Sequence, residues 1–267
     1  LRPLPPETEG NPQCRFGITS RFTPGDAVRI DAITDDGQYH AWTEINVPQR
    51  PFEIENVDTV TVPLAQSGYT TEYLRYRITI NDRPNETNYY RIVIDKQTTL
   101  WGYNHEEGGD DYIYWTKHSY NFIGREDVVL TDGQPTTGDD EDNGLFDTAK
   151  NIYGVFDDTR FRNTSYTMTV YNNTKIETGS DSGYFSGMDV IIRLMSITET
   201  EYYYLKALNL VDSDAYDETI NEPIKYPSNV HGGTGMVGIS TEVTQTIHII
   251  SSSHSKGNLA PPVHVYQ

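Results

Sequence analysis

The side chains best equipped for chemistry are concentrated in one stretch. The chain runs Trp101-Gly102-Tyr103, then Tyr112-Ile113-Tyr114-Trp115, then Tyr120-Asn121-Phe122, interleaved with the acidic cluster Glu106-Glu107-Gly108-Gly109-Asp110-Asp111. Flat rings beside carboxylates suit sugars, peptides or cationic groups. Trp101, Tyr103, Tyr112, Tyr114 and Trp115 are therefore the candidate ligand-binding residues. A plainer origin competes with this: on a strand, Tyr112, Tyr114 and Thr116 line one face while Ile113 and Trp115 fill the core from the other. A second acidic cluster, Asp139-Asp140-Glu141-Asp142-Asn143-Gly144, offers hard oxygen donors of the kind that calcium accepts. Asp139, Asp140 and Asp142 are the candidate calcium ligands, although the cluster lacks the D-x-D-x-D-G alternation and terminal Glu of an EF-hand. A solvated acidic loop is the competing reading.

Catalytic patterns are harder to find. With 39 acids, carboxylate pairs of the kind that hydrolyse glycosides arise by chance, and nothing in the sequence marks one pair as desolvated. No G-x-S-x-G elbow occurs, and the histidines are scattered without H-E-x-x-H spacing. Gly233-Thr234-Gly235-Met236-Val237-Gly238 matches the letters of a dinucleotide fingerprint, but a β-like Thr-rich run, 239–250, follows where a helix N-terminus is needed. It reads as a tight glycine turn. Cys14 is the single cysteine, so no internal disulfide forms, and no His/Cys set has zinc spacing. No catalytic residue and no organic cofactor are identified, and the expectation is a protein that is not an enzyme.

The elements that position these residues follow from hydrophobic period. Val28/Ile30/Ala32, Leu74/Tyr76/Ile78/Ile80, Tyr90/Ile92/Ile94, Tyr166/Met168/Val170 and Val190/Ile192/Leu194 each alternate with polar residues, the signature of half-buried strands. The intervening segments carry turn chemistry, such as Asn81-Asp82-Arg83-Pro84-Asn85, in place of crossover helices, which favours antiparallel pairing. The expected fold is mainly β: an antiparallel β-sandwich, immunoglobulin- or jelly-roll-like, with one short α-helix near 198–211. Thr198 and Glu201 form a capping box at its start, and Tyr204, Leu208 and Val211 share one helical face. In the run Tyr202-Tyr203-Tyr204, one ring is expected to meet the sandwich and another solvent. Pro48-Gln49-Arg50-Pro51 favours an extended connection and marks a boundary. Residues 1–50 read as the partly disordered remnant of an N-terminal sandwich domain, and 51–267 as the main sandwich.

Composition narrows the partners. A net charge of −19 opposes a nonspecific grip on nucleic acid or anionic lipid. Hydrophobic content of 36%, no run of eighteen apolar residues and 20 Tyr describe a folded chain rather than a membrane-spanning or disordered one. The first residues also lack the apolar core of a secretory signal. Three N-x-[ST] sequons, at Asn85, Asn163 and Asn172, need be no more than chance in so Asn/Thr-rich a chain.

Several segments together resemble one family: Phe22-Thr23-Pro24-Gly25-Asp26, Val47-Pro48-Gln49-Arg50-Pro51, Asn88-Tyr89-Tyr90-Arg91, Ser196-Ile197-Thr198 before Tyr202-Tyr203-Tyr204-Leu205, Asn221-Glu222-Pro223 and, most specifically, Pro227-Ser228-Asn229-Val230-His231-Gly232-Gly233-Thr234-Gly235. They are similar to domain-of-unknown-function family 4249 of Bacteroidetes, with likeness running from about Phe22 to Ile250. The resemblance implies a setting and no catalytic residues: secreted lipoproteins whose genes often lie near those for TonB-dependent outer-membrane transporters. On that basis the expected location is the bacterial outer membrane or cell surface. The lipid anchor would belong to an N-terminal stretch of the full-length precursor that this chain lacks, and membrane contact would be through that anchor alone. The expected function is a noncatalytic binding module for nutrient uptake, accessory to such a transporter. A glycan-acting hydrolase on a sandwich scaffold and a structural or adhesin surface module are the alternatives.

Overall fold

The structure is a computed structural model that describes residues 2–4, 15–17, 19–66, 69–103, 112–124, 126–133, 151–173, 184–212, 223–249 and 265–266. It is mainly β, and every strand pair among the described residues is antiparallel. Two short sheets come from the N-terminal segment. β1 (Arg2–Leu4) pairs with β2 (Arg15–Gly17), and β3 (Ala27–Ile33) forms a hairpin with β4 (His40–Asn46). A three-stranded sheet contains β5 (Asn56–Gln66), β6 (Tyr69–Asn81) and β10 (Ser165–Asn173), in the order β10-β6-β5. The largest sheet runs β13-β12-β11-β7-β8, built from β7 (Tyr89–Tyr103), β8 (Tyr112–Ser119), β11 (Tyr184–Ser196), β12 (Thr241–Ile249) and β13 (Val265–Tyr266). The short β9 (Val155–Asp157) also pairs with β7.

These two larger sheets share one core. Leu74, Tyr76, Ile78 and Ile80 of β6 and Met168 and Val170 of β10 pack in a single buried cluster with Ile92 and Ile94 of β7 and Met188, Val190, Ile192 and Leu194 of β11. Those are the residues that the two-residue period selects, and each fully buried Leu or Ile stabilises by roughly 1.5–3 kcal/mol. The molecule is a two-layered antiparallel sandwich. The run Val28/Ile30/Ala32 alternates in the same way, yet Ile30 is exposed. Alternation shows which residues share a face but not how much of it is covered: on this same face the β4 partners of Val28 and Ile30, Ile45 and Thr43, are buried.

The only helix among the described residues, α1 (Glu199–Val211), starts as its sequence predicts, with the Thr198 side chain accepting from the Glu201 backbone N–H at 3.2 Å. The reciprocal half of the capping box differs, since Glu201 Oε2 is buried without a hydrogen-bond partner. The docked face differs as well. It is centred on Tyr202, Leu205 and Asn209, with Tyr204 and Leu208 at its margin, because Tyr202 and Leu205 enter a small second core with Val155 and Ile197. Asn209 fixes the rotation: its Oδ1 accepts from the Tyr153 backbone N–H at 3.0 Å and its Nδ2 donates to Asn151 Oδ1 at 2.9 Å. Of the three consecutive tyrosines, Tyr202 is buried and Tyr203 exposed. No helix of the described residues is long and apolar enough to cross a membrane.

Polar contacts tether the Pro48–Pro51 segment to the sandwich. Arg83 Nη1 donates to the carbonyls of Gln49 (2.6 Å) and Arg50 (3.1 Å) and to Ser196 Oγ (3.0 Å), while Nη2 donates to Asn88 Oδ1. Asn88 in turn donates through its backbone N–H to Asp158 Oδ2 (2.8 Å) and through Nδ2 to Asp82 Oδ1 (3.1 Å), all three residues being buried. Buried polar groups are tolerated when bonded to one another in this way. Farther up the chain, His231 exchanges two backbone hydrogen bonds with Trp42 (2.8 and 3.0 Å) and stacks on its ring at 4.1 Å, with the Arg29 guanidinium 4.5 Å from the Trp42 centroid. Thus Val47-Pro48-Gln49-Arg50-Pro51 and Asn88-Tyr89-Tyr90-Arg91 meet at Arg83, and the glycine-rich segment holds the β3–β4 hairpin.

Candidate functional site

The aromatic candidates lie at the β8 edge of the large sheet, where register brings them into neighbouring rungs. Trp101 on β7 pairs with Tyr114 on β8 and, from its other side, with Tyr184 on β11. Tyr103 pairs with Tyr112 in the last β7–β8 rung. Three adjacent strands therefore carry an aromatic residue at one level, and a β-bulge at 185–187 of β11 follows at once. Tyr114 is 66% exposed, whereas Trp115 is half-buried opposite Leu100, which is fully buried. Tyr114 and Trp115 thus divide between the two faces of β8, as alternation predicts. Tyr120, just beyond β8, is exposed and stacks with His118 (centroids 6.1 Å apart, 19° between planes).

A polar rung lies below the aromatic one. His248, Asp189, Gln97 and His118 are consecutive partners across β12, β11, β7 and β8. His248 Nδ1 is 2.8 Å from Asp189 Oδ1. His118 Nδ1 is 3.0 Å from Oδ1 of the buried Asp95, whose Oδ2 accepts from Gln97 Nε2 at 2.7 Å. Each histidine is held by a carboxylate, which sets ring orientation. Among the described residues, no three His, Cys, Asp or Glu side chains group in a way that could hold a metal ion. This edge of the sheet offers a surface for recognition by stacking and hydrogen bonding.

Burial shifts the proton affinity of two groups at the opposite end of the sheet. Desolvation pushes the Glu201 carboxyl above its ordinary range, outweighing the smaller opposing pull of Arg91. Its carboxylate fills the space beside Gly238, where a Cβ would collide with it. Desolvation also pushes Asp157 upward, but hydrogen bonds from Thr159 and from the Tyr202 hydroxyl prevail and hold it below the ordinary range.

Asp139, Asp140 and Asp142, the cluster 106–111 and Cys14 lie outside the described residues. Gly233 to Gly238 lead into β12 rather than into a helix, and Gly235 adopts φ +130°, so this segment is a glycine turn. The Asn172 side chain is buried against the Asn121 carbonyl, which leaves no room for a glycan at that sequon. Sequence reasoning passed over Lys96 and Lys117, which line a cavity of about 190 Å³ with Thr98, His118 and Ser119. Their signal was a lysine and a threonine continuing the apolar stripe Tyr90/Ile92/Ile94 of β7.

Comparison with known proteins gives one match. The model of a family described as "Domain of unknown function (DUF4249)" aligns with residues 5–246. No curated protein and no solved structure matches the chain.

Proposed function

The chain belongs to the DUF4249 family, and from that premise we propose that it is a noncatalytic binding module of the bacterial outer surface, lipid-anchored in its full-length precursor and accessory to a TonB-dependent nutrient transporter. The observation that carries the binding role is the register that sets Tyr184, Trp101 and Tyr114 on one rung reaching the β8 edge, with Tyr114 exposed and, four residues on along β8, His118 stacked on Tyr120. Aromatic faces bind the apolar face of a sugar ring or a cationic group, and neighbouring polar side chains fix its orientation. Family membership supports the setting at the transporter. Ile30 and Ile33, exposed on opposite faces of β3, support residues 1–50 as part of a smaller sandwich completed by further strands.

Two measurements test this reading. Isothermal titration against a panel of soluble oligosaccharides is expected to find a ligand whose affinity falls at least about tenfold in Tyr114→Ala, a loss of about 1.4 kcal/mol. Affinity capture of the native lipoprotein from outer membranes is expected to recover a TonB-dependent transporter. Capture without any outer-membrane partner overturns the accessory role. Release of new reducing ends from an oligosaccharide of the panel, abolished by an acid-to-amide substitution, replaces binding with hydrolysis.

A further inference from the structure

The core-facing stripe of β7 changes character in mid-strand. Ile92 and Ile94 enter the main core, yet the next two residues of the same face are Lys96 and Thr98, followed by Leu100. Lys96 is only 7% exposed and Thr98 only 6%. A lysine this deeply buried is rare, because desolvating an ammonium is costly. Register completes the pattern: Lys96 pairs with Ser119 and Thr98 with Lys117. These two rungs, successive on this face, therefore form a square in which the lysines occupy one diagonal and the hydroxyl-bearing residues the other. Directly paired residues lie about 4.5–5.5 Å apart and diagonal ones about 7–8 Å.

All four residues, with His118, line the cavity of about 190 Å³. Past β8 the chain crosses to the smaller sheet, where Ile123 and Tyr171 exchange two backbone hydrogen bonds (2.9 and 3.0 Å). Lys96 Nζ is anchored by the Asn173 carbonyl at 2.9 Å, and His118 is anchored on Asp95. The two ammonium groups are donors only, the two hydroxyls can donate, and among the described residues that line the cavity none is a carboxylate. The volume accommodates several waters or a compact oxyanion.

We propose that this corner is a binding site for a small oxyanion, a phosphate, sulfate or carboxylate group, held by Lys96, Lys117, Thr98 and Ser119. The ammonium groups supply charge-assisted hydrogen bonds and the hydroxyls complete the shell. The chain's net charge of −19 repels anions at long range, so binding rests on these short contacts. The site is separate from the aromatic rung and does not depend on the function proposed above.

The test uses the full chain and inorganic phosphate and sulfate as probes. Either anion is expected to raise the melting temperature by several degrees over sodium chloride of equal ionic strength and to titrate with a millimolar Kd. Lys117→Gln is expected to weaken binding at least tenfold. Replacing Lys96 in the buried stripe risks the fold, so Ser119→Ala serves as the second variant, with a several-fold loss expected. Glucuronate and glucose distinguish a sugar-borne carboxylate from a free anion. Binding of glucuronate without glucose, or of the inorganic anions alone, supports the site and identifies the source. The proposal fails if neither the inorganic anions nor glucuronate acts beyond chloride, or if Lys117→Gln binds as the parent chain does.

Discussion

Two tyrosines of the main core carry equal burial and opposite hydrogen bonding, which makes the cost of a buried hydroxyl measurable. Tyr76 on β6 is fully buried, and its hydroxyl has no hydrogen-bond partner. Tyr90 on β7 is as deeply buried, but its hydroxyl donates to Asp82 Oδ1 at 3.1 Å. Burial raises the pKa of both phenols, so both stay neutral at ordinary pH. Replacing Tyr76 by Phe removes an orphaned polar group whose desolvation costs about 1–3 kcal/mol. Against this stands the void left by one oxygen, a few tenths of a kcal/mol at about 24 cal/mol per Å³. The expected net effect is stabilisation by about 1–2 kcal/mol, or roughly 2–8 °C in melting temperature for a chain of this size. Tyr90→Phe, by contrast, deletes a hydrogen bond to a charged acceptor and should destabilise by about 1.5–3 kcal/mol. Urea unfolding with a common m value reads both changes as shifts in midpoint. A Tyr76→Phe variant less stable than the parent by 1 kcal/mol or more would refute the reasoning, because the hydroxyl would then have a partner that the packing does not show.

Glu201 should make stability depend on pH. Its folded-state pKa is raised by burial, so its contribution is complete below the unfolded value of about 4.5 and is lost as pH rises through the folded pKa. The advantage of the parent over Glu201→Gln is therefore expected to shrink or reverse between pH 4 and pH 7, and a difference constant across that range defeats the assignment. Gly154 precedes β9 at φ +65°, with the Ile92 carbonyl oxygen where a Cβ would stand, while its own carbonyl accepts from the Ile92 N–H at 2.8 Å. Gly154→Ala should cost about 2–4 kcal/mol, combining left-handed strain with a backbone collision. Hydrogen exchange should show the loss first at β9 and the adjoining β7 rungs, and an unchanged denaturation midpoint would contradict it.

The parts of this protein legible in its sequence are those governed by neighbours a few residues apart. The runs at Leu74, Tyr90, Tyr166 and Val190 lie in strands because side chains alternate across a pleat, and Thr198 caps α1 because its hydroxyl reaches an amide three residues on. Gly233 to Gly238 could be recognised as a turn because the helix needed for phosphate binding is missing from the next segment. Tertiary structure decided what these elements meet. The same alternation is buried in β6 and exposed at Ile30 in β3, because burial depends on a second layer that the strand does not encode. Asn209 rather than Val211 sets the docked face of α1, since its partners Asn151 and Tyr153 lie more than fifty residues away. Register, a long-range property, places Trp101 between Tyr184 and Tyr114 and sets Lys117 diagonal to Lys96. Local alternation fixes the face each side chain shares, but only the pairing of distant strands determines its neighbours, and those neighbours make the candidate sites.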